Sequence, residues 1–293
     1  MKKEQVAPWL ILGAGVLWGT SGIFVRHFEA MGFSALQISA IRLSIAAVIF
    51  LIGMMRSGKG NSNIDKKDFG WFLLTGVGSV FLMSAFYFFS ISYSSMATAA
   101  ILLYTAPFFV LLASALLFKE RITIIKAIAL LIAFGGCFLM TGTGETSTLG
   151  VVFGLLSGIL YASYSIFGTI LLKKYSSLTI TAICFSLGAV VSLFFCNLPQ
   201  LILVLWSELS FTTLLWCLGL GVITAAAPFA LYTAGLQNTP AGKASILSFA
   251  EPMAATVFGT FLLGEPLGYA GATGIILIAI SIVLLNLNRK EVN

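Results

Sequence analysis

Apolar residues run along this chain in ten long blocks separated by short polar interruptions. The blocks lie near residues 8–27, 35–55, 69–91, 95–118, 122–141, 149–172, 178–198, 211–236, 241–263 and 267–287. Each approaches the ~20 residues that a helix needs to cross a bilayer core. The runs are continuous, whereas strands of a membrane barrel alternate apolar and polar positions over about ten residues. The longest clearly polar link, Arg56 to Asp68, is too short to hold a separate activity. The pattern predicts an all-α polytopic membrane protein of ten transmembrane helices.

Composition sharpens that expectation. The 293 residues are 59% hydrophobic and only 9% charged, with a mean hydropathy of +1.05. Soluble domains carry about 25% charged residues, so this chain could not clothe itself in water. The first run follows Met1-Lys2-Lys3 and resembles a secretory leader, but it lacks a clear A-x-A site, and a similar segment recurs mid-chain. It reads as a span.

The net charge of +6 does not point to nucleic acid, because the basic residues sit singly or in pairs between apolar runs. They set orientation instead. With the N-terminus in the cytoplasm, Lys2, Lys3, Arg56, Lys59, Lys66, Lys67, Lys119, Arg121, Lys126, Lys173, Lys174, Lys243, Arg289 and Lys290 all fall inside, 14 of 16 basic residues. Both termini are therefore expected to be cytoplasmic. The four cysteines, Cys137, Cys184, Cys196 and Cys217, form no CxxC and read as small hydrophobes.

The chain also repeats itself. Tyr104-Thr-Ala-Pro107, leading through Ser114 to Lys119-Glu120, matches Phe249-Ala-Glu-Pro252, leading through Gly259 to Gly264-Glu265, at an offset of 145 residues. The same offset pairs Tyr87 with Tyr232 and Ile101-Leu102 with Ile246-Leu247. Leu17-Trp18-Gly-Thr-Ser-Gly-Ile-Phe24 matches Leu160-Tyr161-Ala-Ser-Tyr-Ser-Ile-Phe167 at 143. Five spans per half is an odd number, so two such halves must lie upside down to one another. Inverted repeats characterise secondary transporters, whose binding sites lie near the bilayer midplane between the repeats.

These motifs, together with Trp18-Gly19 and the small-residue tails Phe134-Gly-Gly136 and Ala279-Ile-Ser281, resemble the EamA-type ten-helix branch of the drug/metabolite transporter superfamily. The resemblance divides the chain into a first five-helix repeat at 8–142 and a second at 149–287. It implies a multi-pass permease of the cell membrane, an exporter of amino acids, related metabolites or toxic compounds, with no catalytic residue. An importer of a sugar or quaternary amine is the alternative within transport, and a non-transporting membrane scaffold is the alternative outside it. The resemblance also implies a central cavity lined mainly by helices 1, 3, 4, 6, 8 and 9.

Against that frame, Glu251 is the most informative residue. A carboxylate about ten residues into segment 9 lies near the midplane, where such groups usually face a cavity or a partner. It is a candidate to hold a substrate ammonium group or to carry a coupling proton. Its repeat mate is Ala106, so the charge breaks the symmetry. Trp18, Tyr161, Tyr87, Tyr104 and Tyr232 are candidate cavity aromatics, suited to organic or cationic solutes. Pro107 and Pro252 sit mid-span and are candidate hinges, each removing a helix hydrogen bond. Arg42 reads as snorkelling or structurally paired, with an anionic group of a substrate as the alternative partner. Lys243 reads as a cytoplasmic anchor, and Glu120 and Glu265 as caps of the helices that follow them. Gly15-x-x-x-Gly19 and Gly154-x-x-x-Gly158 read as helix-packing faces, with homodimerisation as the alternative. His27, the lone histidine, cannot build a metal cluster. No phosphate-binding loop, H-E-x-x-H or acid–base pair is present, so neither an enzyme nor a resident cofactor is expected; coupling to a proton or ion is.

Overall fold

A computed structural model describes residues 3–57, 64–94, 96–141, 147–264 and 266–287. Every regular element among them is helical. In chain order these are α1 (Lys3–Gly19), α2 (Ser21–Ala30), α3 (Ala35–Arg56), α4 (Phe69–Tyr93), α5 (Met96–Leu103), α6 (Ala106–Phe118) and α7 (Ile124–Thr141). The remainder are α8 (Thr148–Leu171), α9 (Ser177–Phe195), α10 (Leu198–Ser207), α11 (Phe211–Leu236), α12 (Ala241–Leu247), α13 (Ala250–Leu263) and α14 (Tyr269–Leu287).

Eight helical stretches among the described residues are long and apolar enough to cross a membrane, counting α1–α2 as one and the α5–α6 and α12–α13 pairs as one each. The fifth and tenth expected spans are the shorter apolar helices of α7 and α14. These two lie side by side. Gly136 packs against the Gly274 carbonyl, and the Ser281 hydroxyl donates to the Ala129 carbonyl at 2.7 Å.

Serines start several helices. Ser34 accepts from the Gln37 amide, while the Gln37 side chain reaches back to the Ser34 amide at 2.8 Å, a reciprocal cap for α3. Ser147, Ser176 and Ser210 cap α8, α9 and α11 in the simpler way, each taking an amide at 3.1 Å. These contacts satisfy donors that a helix end would otherwise leave bare.

Irregularities recur at matching places in the two halves. The α ladder widens to π-helix over Leu74–Leu82 in α4 and Val222–Ala226 in α11. The fourth and ninth expected spans are each broken, at Tyr104-Thr105 and at Ser248-Phe249. Pro107 and Pro252 follow directly, second and third in their new helices, within the first turn where the missing N–H would have had no partner anyway. The expected mid-span kinks are thus full breaks. Thr105 and Ser248 turn their hydroxyls onto the carbonyls three residues back, at 2.5 and 2.7 Å, and help close the turns.

The first expected span is also broken, at Gly19-Thr20, whereas its counterpart α8 runs unbroken for 24 residues. The two glycine faces explain how these helices dock. A side chain at Gly19 would collide with Ala254 and the Ala255 backbone, and one at Gly158 with the Leu102 carbonyl and Thr105. Each face therefore sits on a broken span of the other half and is buried within the chain.

Helix pairings follow an exchange rule. α1 packs on α11 and α13; α8 packs on α4, α5 and α6. α3 packs on α9, and α7 on α14. Swapping first-half helices for their second-half counterparts reproduces this set. One element lies between the expected spans: α10, a short apolar helix that turns Leu201 inward and leaves Leu203 and Trp206 exposed.

Candidate functional site

Lys173, Lys174 and Lys243 stand at one end of the bundle. There Lys174 pairs with Asp68 at 2.8 Å, Lys173 lies over the Phe118 ring, and Glu120 meets the start of α12 beside Lys243. A cavity of about 810 Å³ opens at the opposite end. Its walls come from α1, α2, α3, α4, α5, α8, α11 and α13, with Met140 of α7. The second expected span, α3, thus joins the expected set of lining helices and contributes Ile38, Ser39 and Arg42. Arg26 and Glu29 stand near the mouth; Trp18, Tyr104, Tyr161, Phe229 and Glu251 form the floor.

The break before α13 explains the position of Glu251. It places the carboxylate in the first turn of that helix, where the partial positive charge of the helix end favours an anion. The Tyr161 hydroxyl donates to its Oε2 at 3.3 Å, and Tyr104 also bears on the carboxylate. Ala106 occupies the equivalent first-turn position of α6. Arg42 does not snorkel away to a helix end. It lies on the cavity wall, its Nε shut off from solvent and without a hydrogen-bond partner. Its charge and that of Glu251 interact.

Below the floor the bundle is sealed. Trp18 meets Phe229 edge-on at 5.0 Å and Tyr232 at 5.4 Å; Tyr164 meets Phe229 at 5.0 Å, and Phe185 meets it at 4.8 Å. Two hydroxyl pairs tie the seal across helices, Tyr232 with Ser165 at 2.7 Å and Tyr164 with Thr233 at 2.8 Å. A small void of about 10 Å³ remains there, bordered by Pro107, Ser245 and Ser248 among others. At the basic end the two carboxylate oxygens of Glu120 accept the amides of Ala241 and Gly242 at 3.0 and 3.4 Å. Glu120 thus caps α12 of the other half rather than the helix that follows it. Glu265 lies outside the described residues.

Of the sequence candidates, Trp18, Tyr87, Tyr104, Tyr161, Glu251 and Pro252 line the large cavity. Tyr232 does not; it belongs to the seal, as Pro107 does to the small void. Sequence reasoning missed Phe229, the aromatic hub of the seal, which nothing in its run marks out among 25 phenylalanines. It also missed the reach of Glu120, since a cap across halves leaves no spacing signal. His27 stacks on Trp216 at 3.9 Å, an interfacial packing role.

A model of the EamA-like transporter family matches residues 5–142 and again 148–287. The chain belongs to that family. Among curated relatives, an uncharacterized transporter of Archaeoglobus fulgidus is 31% identical over 258 residues, covering 88% of this chain and 87% of the relative. The uncharacterized inner membrane transporter YicL of Salmonella typhimurium is 27% identical over 96% of this chain and 95% of its own length. A solved crystal structure superposes with a TM-score of 0.79 at 17% identity, covering 96% of each chain, a likeness of fold. This EamA protein is accordingly a multi-pass membrane protein of a transporter family.

Proposed function

We propose that this EamA protein is a secondary-active transporter that exports small organic solutes across the cell membrane by alternating access, with both termini in the cytoplasm. In this reading ten helices form two inverted five-helix repeats, residues 8–142 and 149–287, and the large cavity faces outward. One observation carries it. All twelve residues bordering the sealed void have counterparts at the repeat offsets, and those counterparts line the open cavity: Tyr232 answers to Tyr87, Ser245 to Ala100, Ala106 to Glu251, Pro107 to Pro252. Exchanging the conformations of the halves would close the open side and open the closed one, the hallmark of inverted-repeat transport.

Glu251 sits where that exchange would expose it to each side in turn, so it is the residue assigned to proton or ion coupling. The broken spans supply the moving parts, with Pro107 and Pro252 marking the hinges. The reading is tested by reconstitution into liposomes with a panel of amino acids, amines, sugars and nucleosides under an imposed proton gradient. Gradient-driven movement of at least one solute, lost in Glu251→Gln, is expected; a protein that moves none of them with or without a gradient contradicts it.

A further inference from the structure

Four charged side chains line the described part of the cavity: Arg26, Glu29, Arg42 and Glu251. Two are cations and two are carboxylates. A solute with a net charge gains no net attraction there, whereas one that carries both signs can answer both. The deeper pair matters most. Arg42 and Glu251 come from helices of different halves and interact electrostatically, yet among the described residues no contact ion pair joins them.

Each of the two is incompletely satisfied. Arg42 Nε is buried with no partner, although a guanidinium offers five donors in a planar fork that matches a carboxylate. Leaving such a donor bare inside a bilayer is costly, so a small turn of the side chain that brings the guanidinium fork onto an anionic group in the cavity is favoured. Glu251 holds a long 3.3 Å hydrogen bond from Tyr161, geometry that an incoming ammonium group can replace. Trp18, Tyr104 and Tyr161 line the same cavity as that carboxylate, and aromatic rings also attract a cation.

We infer that the cavity binds a zwitterionic solute, its anionic group on the Arg42 guanidinium and its ammonium group on the Glu251 carboxylate, with the body against Trp18, Tyr104 and Tyr161. The assignment rests on the transporter reading above and narrows its substrate class. It also gives the broken symmetry a purpose. Cys184 and Ala106 stand at the repeat positions of Arg42 and Glu251, so one charged pair serves one site rather than two.

The test uses the purified full-length protein in detergent. Thermal shift and calorimetry are run with the standard α-amino acids and with trimethylammonium carboxylates. The tightest ligand is then compared with an analogue that lacks its carboxylate and one that lacks its cationic group. Binding of the zwitterion at least ten-fold tighter than either analogue is expected. Arg42→Gln should bring the zwitterion down to the affinity of the carboxylate-free analogue and leave that analogue unchanged; Glu251→Gln should do the converse. Should Arg42→Gln fail to fold, Arg42→Lys serves: it keeps the charge, loses the fork, and should weaken the zwitterion selectively.

The inference is overturned if the carboxylate-free analogue binds as well as the zwitterion, if the Arg42 variants weaken both analogues alike, or if no zwitterion of the panel binds. In any of these cases, movement of single-charged or neutral solutes in liposomes leaves the transporter reading standing.

Discussion

Tyr87 and Tyr232 occupy equivalent places in the two halves, yet one faces an open cavity and the other is locked in a seal. Tyr87 lines space on the side of α4; Tyr232 is pinned between Trp18, Tyr164 and the Ser165 hydroxyl. Like residues in unlike surroundings are what the exchange of halves proposed above requires. Each half carries a π segment and a broken span.

The largest expected effect falls on the residue that the comparison cannot match. Glu251→Gln removes a buried charge whose hydrogen bonds are worth about 1.5–3 kcal/mol. Solute transport in liposomes should drop by roughly two orders of magnitude at the upper end of that range, while the protein still inserts and purifies as a folded species. Retained transport would move coupling elsewhere.

Next comes the seal. Glu120→Ala removes the cap on α12, worth about 1 kcal/mol, and should raise the population open at the basic end about five-fold. A cysteine placed at Ser245 reports it through its labelling rate, and an unchanged rate would make the Glu120 contact incidental to gating.

Gly19→Ala and Gly158→Ala probe whether the halves dock alike. Each inserts a methyl group against backbone, an overpacking expected to cost about 1–3 kcal/mol. Melting temperatures in detergent should fall for both by similar amounts; a fall for one alone would mean that the unbroken α8 and the broken α1 are held differently.

The smallest effect lies at the basic end. The Lys174 ammonium and the Tyr175 hydroxyl, both bonded to Asp68, hold its carboxyl below the ordinary value of 3.8. A carboxyl lowered in the folded state stabilises it above the unfolded value and loses that contribution as pH falls through the folded one. The small melting-temperature gap between the parent and Asp68→Asn should therefore be present at neutral pH and close below about pH 3.8. A gap that persists in acid would assign the effect to packing.

Much of this was legible in the sequence, and the reasons are physical. Apolar runs near 20 residues, the Tyr104–Pro107 and Phe249–Pro252 repeats, and the isolated Glu251 all report local constraints that a chain must meet in lipid. The helix breaks were only half visible: proline marks a lost hydrogen bond, but whether the helix kinks or restarts depends on Thr105 and Ser248 closing the turn. That Arg42 faces the cavity could not be read, because position along a span says nothing about which way the helix faces. The cap of Glu120 on α12, 121 residues away, is a tertiary contact without local signature. Tyr232 could not be told from Tyr87 at all, since their difference lies in tertiary surroundings and not in local sequence.

The reciprocal exchange of the two halves is tested most directly by a pair of cysteines at Ala100 and Ser245, equivalent positions that line the cavity and the seal. In a background with Cys137, Cys184, Cys196 and Cys217 replaced, an impermeant thiol reagent should reach Ala100→Cys from one face of the membrane and Ser245→Cys from the other. Any ligand or gradient that raises one labelling rate should lower the other. Labelling of both positions from the same face, or rates that vary independently, would contradict exchange between the halves.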